Sequence, residues 1–241
     1  MSSFFTRIKA FFMAIFVPIL MLFGWTGGIE VPESKADILN LYKTAIEDFN
    51  TGKPAFERSL STNVTTSFKI AGVPSDSTAK DFKEFLYDGQ TIVERKSSGD
   101  DNTTLLFLKE LTEAEIDSAE CELSDDLQYF NIKIVLINEI SKGKALDSLS
   151  KITDCYYDTS EIKTFMDSKN YAATKTELKL SNIVINATVS VEDSRFTSLS
   201  ISFTSDAVFD IFTKDKIIHY TDASYQATTN IKYSKISDWT K

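Results

Sequence analysis

The chain has 241 residues and a formal net charge of −9 at pH 7, with 42% hydrophobic and 25% charged residues. This length fits one domain or two small ones, and the apolar content is sufficient for a buried core rather than a disordered stalk. The acidic balance argues against nucleic acid as a partner and against electrostatic docking on anionic lipid.

The N-terminal segment has the features of an export signal. Residues 10–25, AFFMAIFVPILMLFGW, carry no charge and follow the cations Arg7 and Lys9. A basic start followed by an apolar run is typical of secretory signals. The asymmetry of the cations places the rest of the chain outside the cytoplasm.

Two fates of this segment stay open. The apolar run is slightly shorter than the roughly 17–25 residues of a membrane helix, and Pro18 interrupts it. The acceptable cleavage site is Thr26-Gly27-Gly28. We therefore expect residues 1–28 to be a cleaved signal peptide or an N-terminal membrane anchor, and residues 29–241 to form the exported domain.

A first amphipathic helix is predicted from Ser34 onward. Ser34 and Asp37 stand in positions typical of a capping box, and Thr51-Gly52-Lys53-Pro54 ends the helical pattern. Apolar residues follow at helical spacing and form one stripe, namely Ile38, Leu41, Tyr42, Ala45, Ile46 and Phe49. A second helix is predicted over 77–87, where Phe82, Phe85 and Leu86 fall together.

Downstream of residue 88 the pattern changes to strict alternation, which predicts antiparallel strands with one packed and one wet face. One hairpin turns at Ser124-Asp125-Asp126 and a second turns over 192–195. The residues predicted to face the core are Ala119, Cys121, Leu123, Phe130, Ile132, Ile134, Leu136, Ile183, Ile185, Ala187, Val189, Val191, Leu199, Ile201 and Phe203. The opposite face of the return strand carries Ser198, Ser200, Ser202 and Thr204.

A last alternating strand runs from Tyr225 to Ser234, with its apolar and polar residues again on opposite faces. The strands follow the helices in succession without a βαβ rhythm. The sequence therefore predicts an α+β fold in which N-terminal helices pack on a curved antiparallel β-sheet built of hairpins.

The two cysteines, Cys121 and Cys155, both lie in the exported part. An exported pair is a candidate disulfide, and two reduced, buried cysteines are the open alternative. Two cysteines do not make a zinc site without histidines, and His219 is the single histidine of the chain.

Residues with catalytic potential are few. His219 lies in a strand-like run and has no Gly-x-Ser-x-Gly elbow to serve it. The acidic pairs sit where turns are expected, which turn chemistry explains better than catalysis. Asp100, Asp101 and Asn102 lack the spacing and the distal glutamate of an EF-hand. We expect no catalytic residue, no cofactor and no bound metal.

Several segments together resemble a poorly characterised family of exported, lipoprotein-like proteins of gut-type Firmicutes. They are ILNLYKTAIEDFNTGKPAFERS, LTEAEIDSAECELSDDLQYFNIKIVLINE, SKGKALDSLSKITD, NIVINATVSVEDSRFTSLSISF and ATTNIKYSKISDW. The resemblance implies an N-terminal signal, a helix ending in a Lys-Pro break and antiparallel hairpins. Lipoprotein members carry a cysteine after the signal, which this chain does not have. In architecture the chain is also loosely similar to the bacterial lipoprotein-carrier folds, which shelter acyl chains.

The expected function follows from location and fold class. We expect a non-enzymatic, exported binding protein of the cell envelope that shelters an apolar or lipid-like ligand between sheet and helices. The alternatives are an envelope interaction protein without a small ligand and, third, a hydrolase. The expected partners are a membrane, through an uncleaved N-terminal segment, and an apolar ligand or an envelope protein, at the cell surface or secreted.

Overall fold

The computed structural model describes residues 28–100, 111–141, 153, 159–215 and 217–239. The predicted signal or anchor over 1–28 lies outside these residues except for Gly28. In the described part, no helix combines the length and the apolar character needed to cross a membrane.

Three helices and nine strands make up the fold. The helices are α1 (Lys35–Gly52), α2 (Asp76–Phe85) and α3 (Thr159–Ser168). The strands are β1 (Ala55–Ile70), β2 (Val73–Pro74), β3 (Thr91–Lys96), β4 (Ile116–Leu123), β5 (Tyr129–Leu136), β6 (Glu139–Ser141), β7 (Tyr171–Ser190), β8 (Phe196–Thr213) and β9 (Tyr220–Ser237).

All nine strands belong to one open, antiparallel sheet. Its main path runs β2-β1-β9-β8-β7-β5-β4, while β3 also pairs with β1 and β6 with β7. The hairpins predicted from alternation are present as β4–β5 and β7–β8. The last strand, β9, lies between β8 and β1, so the first and last long strands of the chain are neighbours.

The predicted class needs refinement. Strands take 54% of the described residues and the three helices a small share. The protein is therefore mainly β, a large antiparallel sheet with some helices, rather than a balanced α+β fold. The sheet is not closed into a barrel.

Helix α1 begins and ends as its sequence predicts. The side chain of Ser34 accepts a hydrogen bond from the backbone N–H of Asp37 at 3.1 Å, which satisfies a free donor of the first turn. At the other end Lys53 adopts a left-handed conformation with φ of 37° and donates its N–H to the carbonyl of Phe49. Lys35 ties the start of the helix to β4 by donating to the carbonyl oxygen of Asp117 at 2.6 Å.

Strand β1 was not predicted, because three of its inward positions, Arg58, Thr62 and Thr66, are polar. Arg58 is 8% exposed on the helix side of the sheet, and Thr62 is equally buried. The Arg58 guanidinium donates to Glu94 on the paired strand β3, at 2.7 Å from Nη2. A charge bonded in this way can occupy a core position. The apolar residues of β1 therefore recur every four residues, at Phe56, Leu60, Val64 and Phe68.

Helix α1 covers one half of the sheet through aromatic contacts. The Tyr42 ring lies 5.8 Å from that of Phe196, and the Phe49 ring lies 5.2 Å from that of Phe56. Trp239, just after β9, closes this end with its ring 5.9 Å from Phe49. The apolar stripe predicted for α1 is thus the face that packs on the sheet.

Helices α2 and α3 cover the other half, on the same face. Phe82 of α2 is fully buried and stacks on Phe68 at 4.5 Å. Its ring also lies 5.0 Å from Phe165 of α3 and 5.5 Å from Phe209 of β8. All three described helices therefore pack on one side of the sheet.

A buried hydrogen-bond network orients α2. Thr78 shares a hydrogen bond of 2.8 Å with the hydroxyl of Tyr220 and accepts a second from Tyr171 at 3.2 Å. Tyr171 also contacts Asp81 at 3.1 Å, and Lys169 donates to the same carboxylate at 2.8 Å. Burial raises the pKa of Tyr171 to about 12, so its hydroxyl stays protonated and able to donate.

Candidate binding surface on the open face of the sheet

The second face of the sheet has no helix on it among the described residues, and its side chains are short and polar. Strand alternation places these residues opposite the core. We call this surface the polar face; its central residues are Ser59, Ser61 and Asn63 of β1, Asn186 and Thr188 of β7, Ser198, Ser200, Ser202 and Thr204 of β8, and Thr228, Asn230 and Lys232 of β9.

Strand register arranges these side chains in rows across the sheet. One row, which we call the central row, runs through paired residues of six strands in the order Glu120, Lys133, Asn186, Ser200, Lys232 and Ser59. Neighbouring strands lie about 4.7–4.9 Å apart. The row therefore presents one polar side chain at each step of that length.

A shallow groove of about 420 Å³ follows the central row. Its walls include Glu122, Asn131 and Thr188 beside the row itself. Lys133 is 3.7 Å from Glu120 in a surface ion pair. Lys232, at the other side of the groove, makes no ion pair with any of the described residues.

The polar side chains at the centre of the face are not hydrogen-bonded to other described protein groups. Within the described ranges, no side-chain hydrogen bond involves Ser200, Ser202, Asn186 or Asn230. Beside them, Thr188 donates to Asn131 at 3.3 Å. The central donors and acceptors are thus available to water or to a ligand.

Charged residues at the margins of the polar face are mostly paired. Glu57 accepts from both Arg95 and Lys235 at 3.0 Å, and these hydrogen bonds hold the pKa of Glu57 below its usual value. Lys69 and Asp222 form another pair at 3.2 Å. These charged side chains are therefore engaged with one another, and exposed pairs of this kind add little stability.

His219 does not form a nucleophile–base pair. Its Nε2 lies 2.7 Å from Asp210 Oδ1, and the hydroxyl of Thr174 donates to the other oxygen of the same carboxylate. The carboxylate separates the hydroxyl from the imidazole, whereas a catalytic triad needs them in contact. These hydrogen bonds, that of His219 first, lower the pKa of Asp210.

Cys121 lies on β4 with its side chain partly buried against the core. Burial, with a smaller contribution from Glu122, raises the pKa of its thiol to about 11. Cys155 lies outside the described residues, so its disulfide with Cys121 stays a prediction.

The expected absence of a metal site also stays a prediction. The described part of the chain contains no group of three or more metal-ligating side chains. Asp101 and Asn102, considered above for calcium, lie outside that part.

The space between α1 and the sheet is packed. The apolar side chains of α1 that face the sheet are at most 4% exposed, and Ile183, Ile185 and Ile201 beneath them are fully buried. The hydroxyl of Tyr42 is the exception, because it is buried without a hydrogen-bond partner among the described groups. Its burial raises the Tyr42 pKa well above the ordinary value.

Comparison of the chain with protein-family models, curated proteins and solved structures returns no match. The resemblance to exported Firmicute proteins therefore stays a prediction.

Sequence reasoning found the parts of the polar face on β7, β8 and β9 and missed the part on β1. Alternation on β8 identified the serine side from Ser198 to Thr204, which the structure places opposite the core, although Thr204 at its end is buried. It missed Ser59, Ser61 and Asn63 because β1 was not recognised as a strand. Their alternation with Leu60, Thr62 and Val64 was the available signal.

Proposed function

We propose that this protein is a non-enzymatic, exported binding protein of the cell envelope whose polar face binds an uncharged, polyhydroxylated polymer. The observation that carries the proposal is the group of hydroxyl and amide side chains at the centre of the polar face, Asn186, Ser200, Ser202 and Asn230, which make no side-chain hydrogen bond within the described part of the chain. Such groups recognise sugar hydroxyls, since each can donate and accept.

The strand spacing and the lack of an apolar anchor at the centre of the face support a glycan over a protein partner. The step between strands is close to the length of one sugar ring in an extended glycan, so successive rings can meet successive strands. The centre contains no buried apolar anchor of the kind that dominates protein–protein contacts. We further propose that the sheet is curved, because β-bulges such as the one between Ser181 and Val184 bend strands.

The proposed location is the cell surface or the extracellular space. It rests on the N-terminal segment, whose basic residues and apolar run favour export. Retention of that segment would hold the polar face close to the membrane and within reach of envelope polymers.

The test is binding of soluble neutral polysaccharides such as glucan, mannan and galactan, measured by affinity electrophoresis and calorimetry. Ser200→Arg and Ser202→Arg each place a long cation in the middle of the array. We expect both variants to fold and to lose at least about tenfold in affinity, as expected when several hydrogen bonds are displaced.

The matched control is Ser77→Arg, which adds the same side chain to an exposed serine of α2. It should bind as the unmodified protein does. Equal losses in the control and the face variants, or no binding of any neutral polysaccharide, would contradict the proposal.

A sheltered apolar ligand is the second candidate, and the unpaired hydroxyl of Tyr42 favours it. A ligand with a polar head beside α1 would satisfy that hydroxyl, whose burial without a partner costs about 1–3 kcal/mol. Native mass spectrometry of the purified chain and of Tyr42→Phe separates the two candidates. A copurifying molecule that Tyr42→Phe loses supports the carrier, whereas a ligand-free chain that Tyr42→Phe stabilises excludes it.

A further inference from the structure

Two turns lie side by side at one end of the sheet. The β1–β2 turn and the β8–β9 turn are joined because Ile70 pairs with Tyr220. In addition, the N–H of Gly72 donates to the hydroxyl of Thr221 at 3.2 Å. The two turns therefore adjoin each other.

Both turns expose large aliphatic side chains. Ile217 is 79% exposed, Val73 is 65% exposed and Ile218 is 37% exposed. We call these three residues the apolar tip. Single exposed aliphatic residues are ordinary on protein surfaces, but a group of them on adjoining turns marks an interaction site.

The apolar tip is held in place by hydrogen bonds and is not a frayed loop. The N–H of Thr213 donates to the carbonyl of Ile218 at 2.9 Å. The hydroxyl of Thr213 accepts from the N–H of Ile218 at 3.2 Å, and Asp215 accepts from the N–H of Ile217 at 3.1 Å. These hydrogen bonds therefore fix the backbone at Ile217 and Ile218.

Two lysines near the tip, Lys69 and Lys214, are each paired with a carboxylate. Lys69 pairs with Asp222 at 3.2 Å and Lys214 pairs with Asp167 at 3.4 Å. Lysine stems lie along apolar surfaces while their ammonium groups stay in water. This arrangement suits the boundary between lipid headgroups and acyl chains. It does not depend on attraction to anionic lipid, which the acidic balance of the chain does not favour.

We propose that the apolar tip inserts into the interface of a lipid bilayer and orients the protein on it. A bilayer suits these exposed aliphatic side chains, because a fluid interface accepts them without a complementary pocket. The sequence also points to a bilayer as the partner, since residues 10–25 form an apolar run that is expected to enter a membrane. Three aliphatic side chains bind a membrane only weakly by themselves, so the tip orients a chain that the N-terminal segment tethers.

The test places a fluorophore at the tip of the full chain reconstituted in phosphatidylcholine vesicles with brominated acyl chains. Ile217→Trp should lose fluorescence relative to unbrominated vesicles and shift its emission to shorter wavelength. Val208→Trp is the matched control, because Val208 is 53% exposed on the polar face, away from the tip. The unmodified protein gives the background from its own tryptophans, Trp25 and Trp239.

Quenching at residue 217 but not at residue 208 supports the proposal. Val73→Trp reports on the β1–β2 turn, and its tryptophan fluorescence should be quenched as well. Equal quenching at 217 and 208, no quenching at either turn, or quenching that requires anionic lipid would overturn it. Thermal unfolding of each variant confirms that the fold is retained. Ile217→Trp and Val73→Trp are separate single substitutions, so the proposal can be tested with one if the other does not fold.

Discussion

At the scale of single residues, the two faces of β8 place neighbouring side chains in opposite environments. Ile201 is fully buried beneath the helices, whereas Ser200 points to the polar face, where its side chain makes no hydrogen bond with the described protein groups. The difference follows from the two-residue period of a strand, and a one-residue shift of register would exchange the two environments.

Ile201→Ala should therefore destabilise the fold by about 2–5 kcal/mol, the range for an aliphatic core residue truncated to alanine. Ser200→Ala should change the free energy of unfolding by less than about 0.5 kcal/mol, as surface substitutions usually do. Denaturant unfolding of both variants measures this. Similar losses for the two would mean that both faces of the sheet are covered.

The thiol of Cys121 should react slowly in the folded, reduced protein. Its pKa is raised to about 11, so the fraction present as thiolate near neutral pH is small, and the thiolate is the nucleophile. Alkylation by iodoacetamide should accelerate as the pH rises towards 11 and on unfolding at constant pH. A rate at pH 8 equal to that of the unfolded chain would contradict the burial of this side chain.

At the scale of elements, the aromatic cluster around Phe82 joins α2 and α3 to the sheet. Phe82→Ala should destabilise by about 3–5 kcal/mol and should weaken both helices, because Phe82 contacts Phe165 as well as the sheet. Hydrogen exchange should speed up in α2 and α3 and remain slow in α1, which packs on the other half of the sheet.

Phe85→Ala is the control for this cluster. Phe85 stacks on Phe165 at 4.1 Å but is only partly buried, so its loss should cost less and should leave α2 protected. If Phe82→Ala accelerated exchange equally in all three helices, the two halves of the helix layer would unfold together.

At the scale of the whole molecule, we predict that residues 1–28 determine the location of the protein. Fusion of this segment to a reporter should direct the reporter out of the cytoplasm, and replacement of Arg7 and Lys9 by glutamate should reduce export, because cations before the apolar run set its orientation. Mass spectrometry of the mature protein distinguishes a cleaved signal from a retained anchor. A reporter that stays in the cytoplasm would refute the prediction of export.

Local sequence determined the features that depend on local periodicity. The three-to-four residue spacing of α1 and the alternation of β5, β7, β8 and β9 each indicate the element and its buried face. Both arise from backbone geometry within a single segment. The serine side of β8 could therefore be assigned to solvent before any fold was known.

Tertiary structure decided which segments pair and which side the helices cover. The pairing of β1 with β9 joins residues far apart in the chain, and nothing in either strand alone specifies its partner. Arg58 could occupy a core position only because register places Glu94 opposite it, which concealed β1 from pattern reasoning. The rows of the polar face and the apolar tip likewise exist only when distant strands align. Such surfaces depend on long-range strand register, whereas helices and strands depend on the local periodicity of apolar residues.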